Sequence, residues 1–70
     1  MHEPAFPKAP RFEVGNRVIT LVPTNPQRGK QGVVVQVIEP AGDLIYRYVV
    51  RFTDGATETL FGFELQLLSA

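Results

Sequence analysis

Hydrophobic and polar positions alternate along most of the chain in short runs that are separated by turn residues. The runs at 17–22 and 32–38 are rich in β-branched residues, which favour extended backbone, and both are shorter than an ordinary helix. Between residues 44 and 52 apolar side chains fall on every second position, which is the period of a half-buried strand. These patterns predict three strands, at 17–22, 32–38 and 44–52.

Turn signals stand between these runs. Gly15-Asn16 precedes the first strand, the segment 23–30 is polar with two prolines, and the segment 39–43 contains proline and glycine. Asp54-Gly55 is a hairpin signal, and we expect a type I′ turn with both residues at positive φ. A fourth strand at 56–60 is predicted to follow it.

The tail predicts one further strand. Phe61, Phe63, Leu65 and Leu67 alternate with other residues, and Gly62 marks a place where a one-turn helix can bridge to a last short strand. Five short strands predict an all-β domain. We expect a five-stranded antiparallel barrel of the Src-homology-3-like kind, since closure hides strand edges and a sandwich needs more strands.

The N-terminal residues follow a different pattern. Pro4, Pro7 and Pro10 recur at every third position, which removes amide donors and favours extended or polyproline backbone. We therefore expect residues 1–11 to form a flexible arm and residues 12–70 to form the barrel domain. A polyproline ligand for a partner is the alternative interpretation of the arm.

Composition limits the possible functions. The 70 residues are 44% hydrophobic and their net charge is +0, so one domain is expected, with no field to attract polyanions over long range. The absence of cysteine excludes disulfides and thiolate-ligated metal sites. No signal-peptide or membrane-spanning pattern is present in the sequence, so we expect a cytoplasmic protein that does not contact the membrane.

Two glycine-containing segments resemble the KOW pattern of ribosomal and transcription proteins. They are Val14-Gly15-Asn16-Arg17-Val18 and Arg28-Gly29-Lys30-Gln31-Gly32-Val33-Val34. The resemblance implies a small barrel that contacts RNA or protein. The alternative is that these glycines only serve tight turns.

A second resemblance covers most of residues 12–68. The Gly-x-x-Val entry, Gly32-x-Val34, the segment 48–52 and the ending 62–65 are similar to the photosystem I subunit PsaE family and to a related ferredoxin-docking subunit. These are non-catalytic barrels that help a redox carrier to dock. The resemblance implies an accessory subunit that binds protein.

The chain also resembles the plasmid-encoded type II dihydrofolate reductases, whose short barrels assemble around one pore. That family has Val-Gln-Ile-Tyr in its fourth strand, where this chain has Glu58, Thr59, Leu60 and Phe61. The glutamine and the tyrosine hydroxyl are thus replaced. An oligomeric pore-type reductase is therefore retained only as a second alternative.

The sequence contains no recognisable catalytic or metal-binding set. His2 is the single histidine, so one chain cannot supply a histidine pair for a metal or a serine-histidine-aspartate arrangement. The carboxylates that follow the first strand lie in turns and at strand ends: Glu39, Asp43, Asp54, Glu58 and Glu64. We expect a non-enzyme without a cofactor.

Basic and aromatic residues are the binding candidates. Arg47 and Arg51 share one strand face about 13 Å apart, at a rise of about 3.3 Å per residue. Arg28 and Lys30 in the polar loop form a basic patch if they lie near the two arginines. Tyr46 and Phe61 are candidate aromatic anchors. The alternative is a solvated face in which the arginine stems cover Val49.

These observations predict a non-catalytic binding or accessory module that contacts a protein partner or self-associates into a homo-oligomer. The alternative is a KOW-like module that contacts nucleic acid through the basic candidates.

Overall fold

The structure of the chain, a computed structural model, describes residues 10–21, 29–40, 42 and 45–70. Within these residues it has five strands and one short 3-10 helix. They are β1 (Arg17–Thr20), β2 (Gln31–Ile38), β3 (Arg47–Phe52), β4 (Thr57–Phe61), the helix (Gly62–Glu64) and β5 (Leu65–Ser69). The predicted all-β architecture is confirmed, as are the one-turn helix at Gly62 and the strand after it. Residues 1–9 of the predicted arm and 22–28 of the polar loop lie outside the described residues.

All five strands belong to one antiparallel sheet with the order β4-β3-β2-β1-β5. The first four strands therefore follow one another as a meander, and β5 returns to pair with β1. No hydrogen-bonded ladder joins the two ends of this order, β4 and β5, in the described part of the chain. The prediction of five antiparallel strands is confirmed, but the sheet is not closed into a barrel.

The connection between β4 and β5 forces the open sheet to curl. In a flat sheet these strands would lie four spacings apart, or about 19 Å. Only the helix Gly62–Glu64 joins them, and the four Cα steps from Phe61 to Leu65 span at most about 14 Å even when extended. The sheet therefore bends until its two end strands approach each other, and the concave side encloses the core.

A β-bulge contributes to this bend. Val34 pairs with Val50 and Gln36 pairs with Val49, so Val35 is an extra residue in β2. A bulge bends its strand and shifts the alternation of side chains by one position. As a result Val34 is buried before the bulge, and Val37 rather than Gln36 packs against the core after it.

The core fills the concave side of the sheet. Among the described residues, eight hydrophobic side chains are buried in it: Phe12, Val18, Val34, Tyr48, Val50, Phe52, Leu60 and Leu65. Phe12 comes from the segment before β1 and meets the ring of Tyr48 edge to face, at 5.2 Å between centroids. The Tyr48 hydroxyl accepts a hydrogen bond from the Arg11 amide at 2.9 Å. The end of the predicted arm is therefore attached to β3.

The hairpin between β3 and β4 differs from the predicted type I′ turn. The Gly55 amide donates to the Phe52 carbonyl at 2.9 Å, so Thr53 and Asp54 are the central residues of the turn. Gly55 follows at φ +90°, and the Phe52 amide then donates to the Ala56 carbonyl. This is a three-residue hairpin built from a turn and a glycine bulge. The prediction of a type I′ turn was wrong because it took Asp54 and Gly55 as the two central residues, whereas these are Thr53 and Asp54.

Gly32 occupies a position in β2 that has no room for a side chain. An added Cβ would lie 2.6 Å from Val50 Cγ1 and 2.7 Å from the Arg51 carbonyl oxygen. We expect Gly32→Ala to lower the free energy of unfolding by about 1–3 kcal/mol, since the β2–β3 pairing must shift to relieve the overlap. Urea denaturation measures this change. Gly42→Ala is the control, because Gly42 has open space and no positive φ, and an equal effect of both changes would contradict the steric explanation.

Substitutions of Gly55 test the requirement for a positive φ rather than the packing around the residue. Nothing lies within 4 Å of an added Cβ there, but φ is +90°. We expect Gly55→Ala to destabilise by about 1 kcal/mol and Gly55→Val by up to about 3 kcal/mol, because side chains with a Cβ disfavour this region. Gly55→Asn should cost less than alanine, since asparagine tolerates the left-handed conformation. Thermal melts that rank asparagine below alanine would refute this turn geometry.

Candidate functional site

The convex side of the sheet, here called the outer face, is formed by the strand residues that point away from the core. Opposed residues of antiparallel strands lie on the same face, so the pairing register identifies its rows. One row crosses all five strands and contains Ser69, Arg17, Val33, Arg51 and Thr57. Another row contains Ile38, Arg47 and Phe61. The outer face thus combines arginines with apolar and aromatic side chains.

Three side chains at one end of this face form what we call the aromatic stack. The Arg47 guanidinium carbon lies 5.4 Å from the centroid of the Phe61 ring. The Phe61 and Phe63 rings are 5.4 Å apart and inclined by only 8°, so they are stacked. Phe63 is 69% exposed. An exposed ring that stacks on a second ring, which itself contacts a cation, forms an ordered apolar contact surface.

The chain after β4 explains why the two rings meet. Gly62 is buried, with the Tyr48 ring and Arg11 side chain within 3.4 Å of where a Cβ would lie. The 3-10 turn then folds Phe63 back onto Phe61. Glu64 closes the turn, because its carboxylate accepts the Phe61 amide at 2.8 Å. The geometry of the aromatic stack is therefore determined by this short segment.

The predicted binding residues do not form one cluster. Arg47 and Phe61 are cross-strand partners, so these two predicted residues lie next to each other and can belong to one site. Arg51 lies farther along β3 on the same face and is exposed. Tyr46 is half-buried and packs against the core, so its ring is not a fully exposed anchor. Arg28 lies outside the described residues.

Lys30 is engaged at the β3–β4 hairpin. Its ammonium group lies 2.8 Å from Asp54 Oδ2 and 5.9 Å from the centroid of the Phe52 ring. The hydrogen bond from Lys30, followed by that from the Ala56 amide, lowers the pKa of the Asp54 carboxyl. Lys30 therefore neutralises a turn carboxylate at the end of β3 that is farther from Arg47.

Two residues of the outer face were missed by the sequence analysis. Phe63 was considered only as part of the alternating pattern of the tail. The neighbouring Gly62 indicated a one-turn helix, and this helix places the Phe63 ring against Phe61. Arg17 was assigned to the first strand without a role. The β1–β2 and β2–β3 registers place Arg17 and Arg51 on either side of Val33. That relation depends on strand order, and no local signal in the sequence gives it.

Three described carboxylates have local structural positions at the hairpin, in the 3-10 turn and in β4. Asp54 and Glu64 make the local hydrogen bonds given above. Glu58 pairs with Val50 and therefore faces the core side, where its Oε1 is buried and lacks a described hydrogen-bond partner. Among the described residues no group of three or more histidine, cysteine or carboxylate side chains could hold a metal. No helix in the described ranges is long and apolar enough to cross a membrane.

Comparison of the chain with protein-family models, with curated proteins and with solved structures finds no match. The outer face is therefore the part of the molecule from which a function is inferred.

The ion pair at the hairpin predicts a titration effect. Lys30→Gln should return the pKa of Asp54 toward its ordinary value, because the largest lowering contact is removed. In the parent, the lowered pKa makes the pair stabilising above the ordinary carboxyl pKa, and this contribution is lost as the pH falls through the lowered pKa. Carbon-13 NMR titration of the carboxyl group measures the shift. Arg47→Gln, at the other end of β3, is the control and should leave Asp54 unchanged.

Proposed function

We propose that this chain is a non-catalytic binding or accessory module that contacts a protein partner through the aromatic stack. The observation that carries the proposal is the 69% exposure of Phe63, whose ring stacks on Phe61, while the Phe61 ring in turn contacts the Arg47 guanidinium. Rigid aromatic side chains lose little conformational entropy on binding and concentrate interface energy. A second copy of the chain is one possible partner of this kind.

The proposed fold family agrees with such a role. A four-strand meander, a return strand beside β1 and a one-turn helix before that strand support assignment to the Src-homology-3-like group. The PsaE-like and KOW-like resemblances also imply small non-catalytic sheets that bind macromolecules. Fold analogy alone does not identify the partner.

Nucleic-acid contact is the second candidate. It is supported by the row in which Arg17 and Arg51 flank Val33, with a ring available for base stacking at the aromatic stack. It is disfavoured by the pairing of Lys30 with Asp54 and by the neutral net charge. Proteins that bind nucleic acid tightly usually neutralise several phosphates. The structure thus offers fewer cations for this role than the sequence suggested.

Phe63→Ala tests the protein-binding function. We expect the variant to stay folded, because the ring is mostly exposed and its stacking contributes only about 0.5–1.5 kcal/mol. Partner capture from the native lysate, followed by mass spectrometry, should lose the proteins that the parent retains. If the partner is a second copy, sedimentation equilibrium should instead show dissociation of the parent dimer in the variant.

Leu68→Ala is the matched control, since Leu68 is an exposed hydrophobic residue on β5, away from the aromatic stack. It should bind like the parent. A parent protein that stays monomeric and retains no partner sensitive to Phe63→Ala would overturn the proposed function.

A further inference from the structure

The charged residues of the strands are divided between the two sides of the sheet. The described strands contain four charged residues, namely Arg17, Arg47, Arg51 and Glu58. The three arginines lie on the outer face, whereas Glu58 is opposite Val50 on the core side. The chain is neutral as a whole, but the outer face of its strands is positively charged.

Glu58 lies on the opposite side of the sheet from the two exposed arginines, Arg17 and Arg51, and the neighbours of these arginines differ from the carboxylate that pairs with Lys30. Arg17 is held at 3.3 Å by the side-chain oxygen of Gln31, which is uncharged. Arg51 has an apolar neighbour, Val33, on one side and Thr57 on the other. Asp54, by contrast, is already paired with Lys30 at the hairpin. The cross-strand neighbours of Arg17 and Arg51 on the outer face are thus uncharged.

From this charge distribution we infer that the surface or segment of the partner that contacts the outer face is acidic. This inference rests on the proposed function and names the chemistry of the partner. Arg17 and Arg51 are two strand spacings apart, or about 10 Å, and Arg51 and Arg47 are about 13 Å apart along β3. An extended acidic segment that pairs one carboxylate with Arg51 spans this second distance along β3 and brings an apolar residue to Phe63.

A protein partner fits these features better than a nucleic acid. Three arginines spread over a face that also exposes Val33 and Phe63 match a mixed acidic and apolar surface. A polyanion with one phosphate per nucleotide gains most from a dense basic patch and a net positive charge, and this chain has a net charge of +0. Complementary charge at the rim of an interface steers association and selects the partner.

Binding of synthetic probes tests the inference. One probe is a 12-residue peptide with glutamate at every second position and one phenylalanine, and its companion has glutamine in place of each glutamate. A single-stranded oligouridine of the same length is the third probe. Fluorescence anisotropy should show binding of the acidic peptide, and raising the salt from about 50 mM to about 300 mM should weaken that binding, because exposed charge pairs are screened.

Three arginine variants and one lysine variant locate the interaction. Arg17→Gln and Arg51→Gln should each lower the affinity for the acidic peptide by roughly three- to fivefold, which is the effect of losing one exposed charge pair. Arg51→Lys should keep most of the affinity, since the charge remains. Lys30→Gln removes the same charge away from the outer face and should change affinity by less than about twofold. Thermal melts confirm that each variant is folded.

The possible results separate this inference from the proposed function. Equal binding of the glutamine peptide, an equal effect of Lys30→Gln, or tighter binding of oligouridine at physiological salt would overturn the acidic partner. A natural partner that is lost with Phe63→Ala but unaffected by Arg17→Gln and Arg51→Gln would leave the protein-binding function in place and also overturn the inference. Weakening by both arginine variants, with little effect of Lys30→Gln, supports it.

Discussion

The short connection between β4 and β5 is the constraint on which the rest of this structure depends. Three residues must carry the chain from one end of the hydrogen-bonded order to the other, and a flat sheet is too wide for that step. The sheet therefore curls, and its concave side encloses the buried hydrophobic cluster of the described residues. The same three residues also stack Phe63 on Phe61. The connection that shapes the core therefore also shapes the contact surface.

Local sequence signals predicted the elements of the sheet well, because each depends on a few neighbouring residues. The β-branched runs identified all of β1 and all but the first residue of β2, and Gly62 identified the 3-10 helix. The turn at Asp54 was misassigned because a glycine after aspartate suits both a two-residue and a three-residue hairpin. Only the hydrogen bond from Gly55 to Phe52 distinguishes them. Barrel closure was also wrong, since strand count alone does not require the end strands to pair.

Much of the outer face could not be predicted, because it depends on register between distant strands. Arg17 and Arg51 are far apart in sequence and become neighbours only through Val33 of β2. The extra residue Val35 changes which side of β2 each later residue faces, and nothing in a run of valines marks its position. The net charge of the chain also concealed how its charged residues are distributed between the two sides of the sheet. A balanced total gave no indication that the arginines of the strands share one side of the sheet.

The bulge between β1 and β5 has a consequence for how the protein behaves at high concentration. Arg17 pairs with Ser69 and Val18 with Leu67, so Leu68 is an extra residue in an end strand. That strand, Leu65–Ser69, contains neither a charge nor a proline, the two common means by which end strands avoid joining those of other molecules. An irregular ladder is a third means, since a bulge twists the strand and interrupts its spacing. Leu68 therefore interrupts the regular ladder of an end strand through its backbone position rather than its side chain, and such irregularity disfavours edge-to-edge pairing.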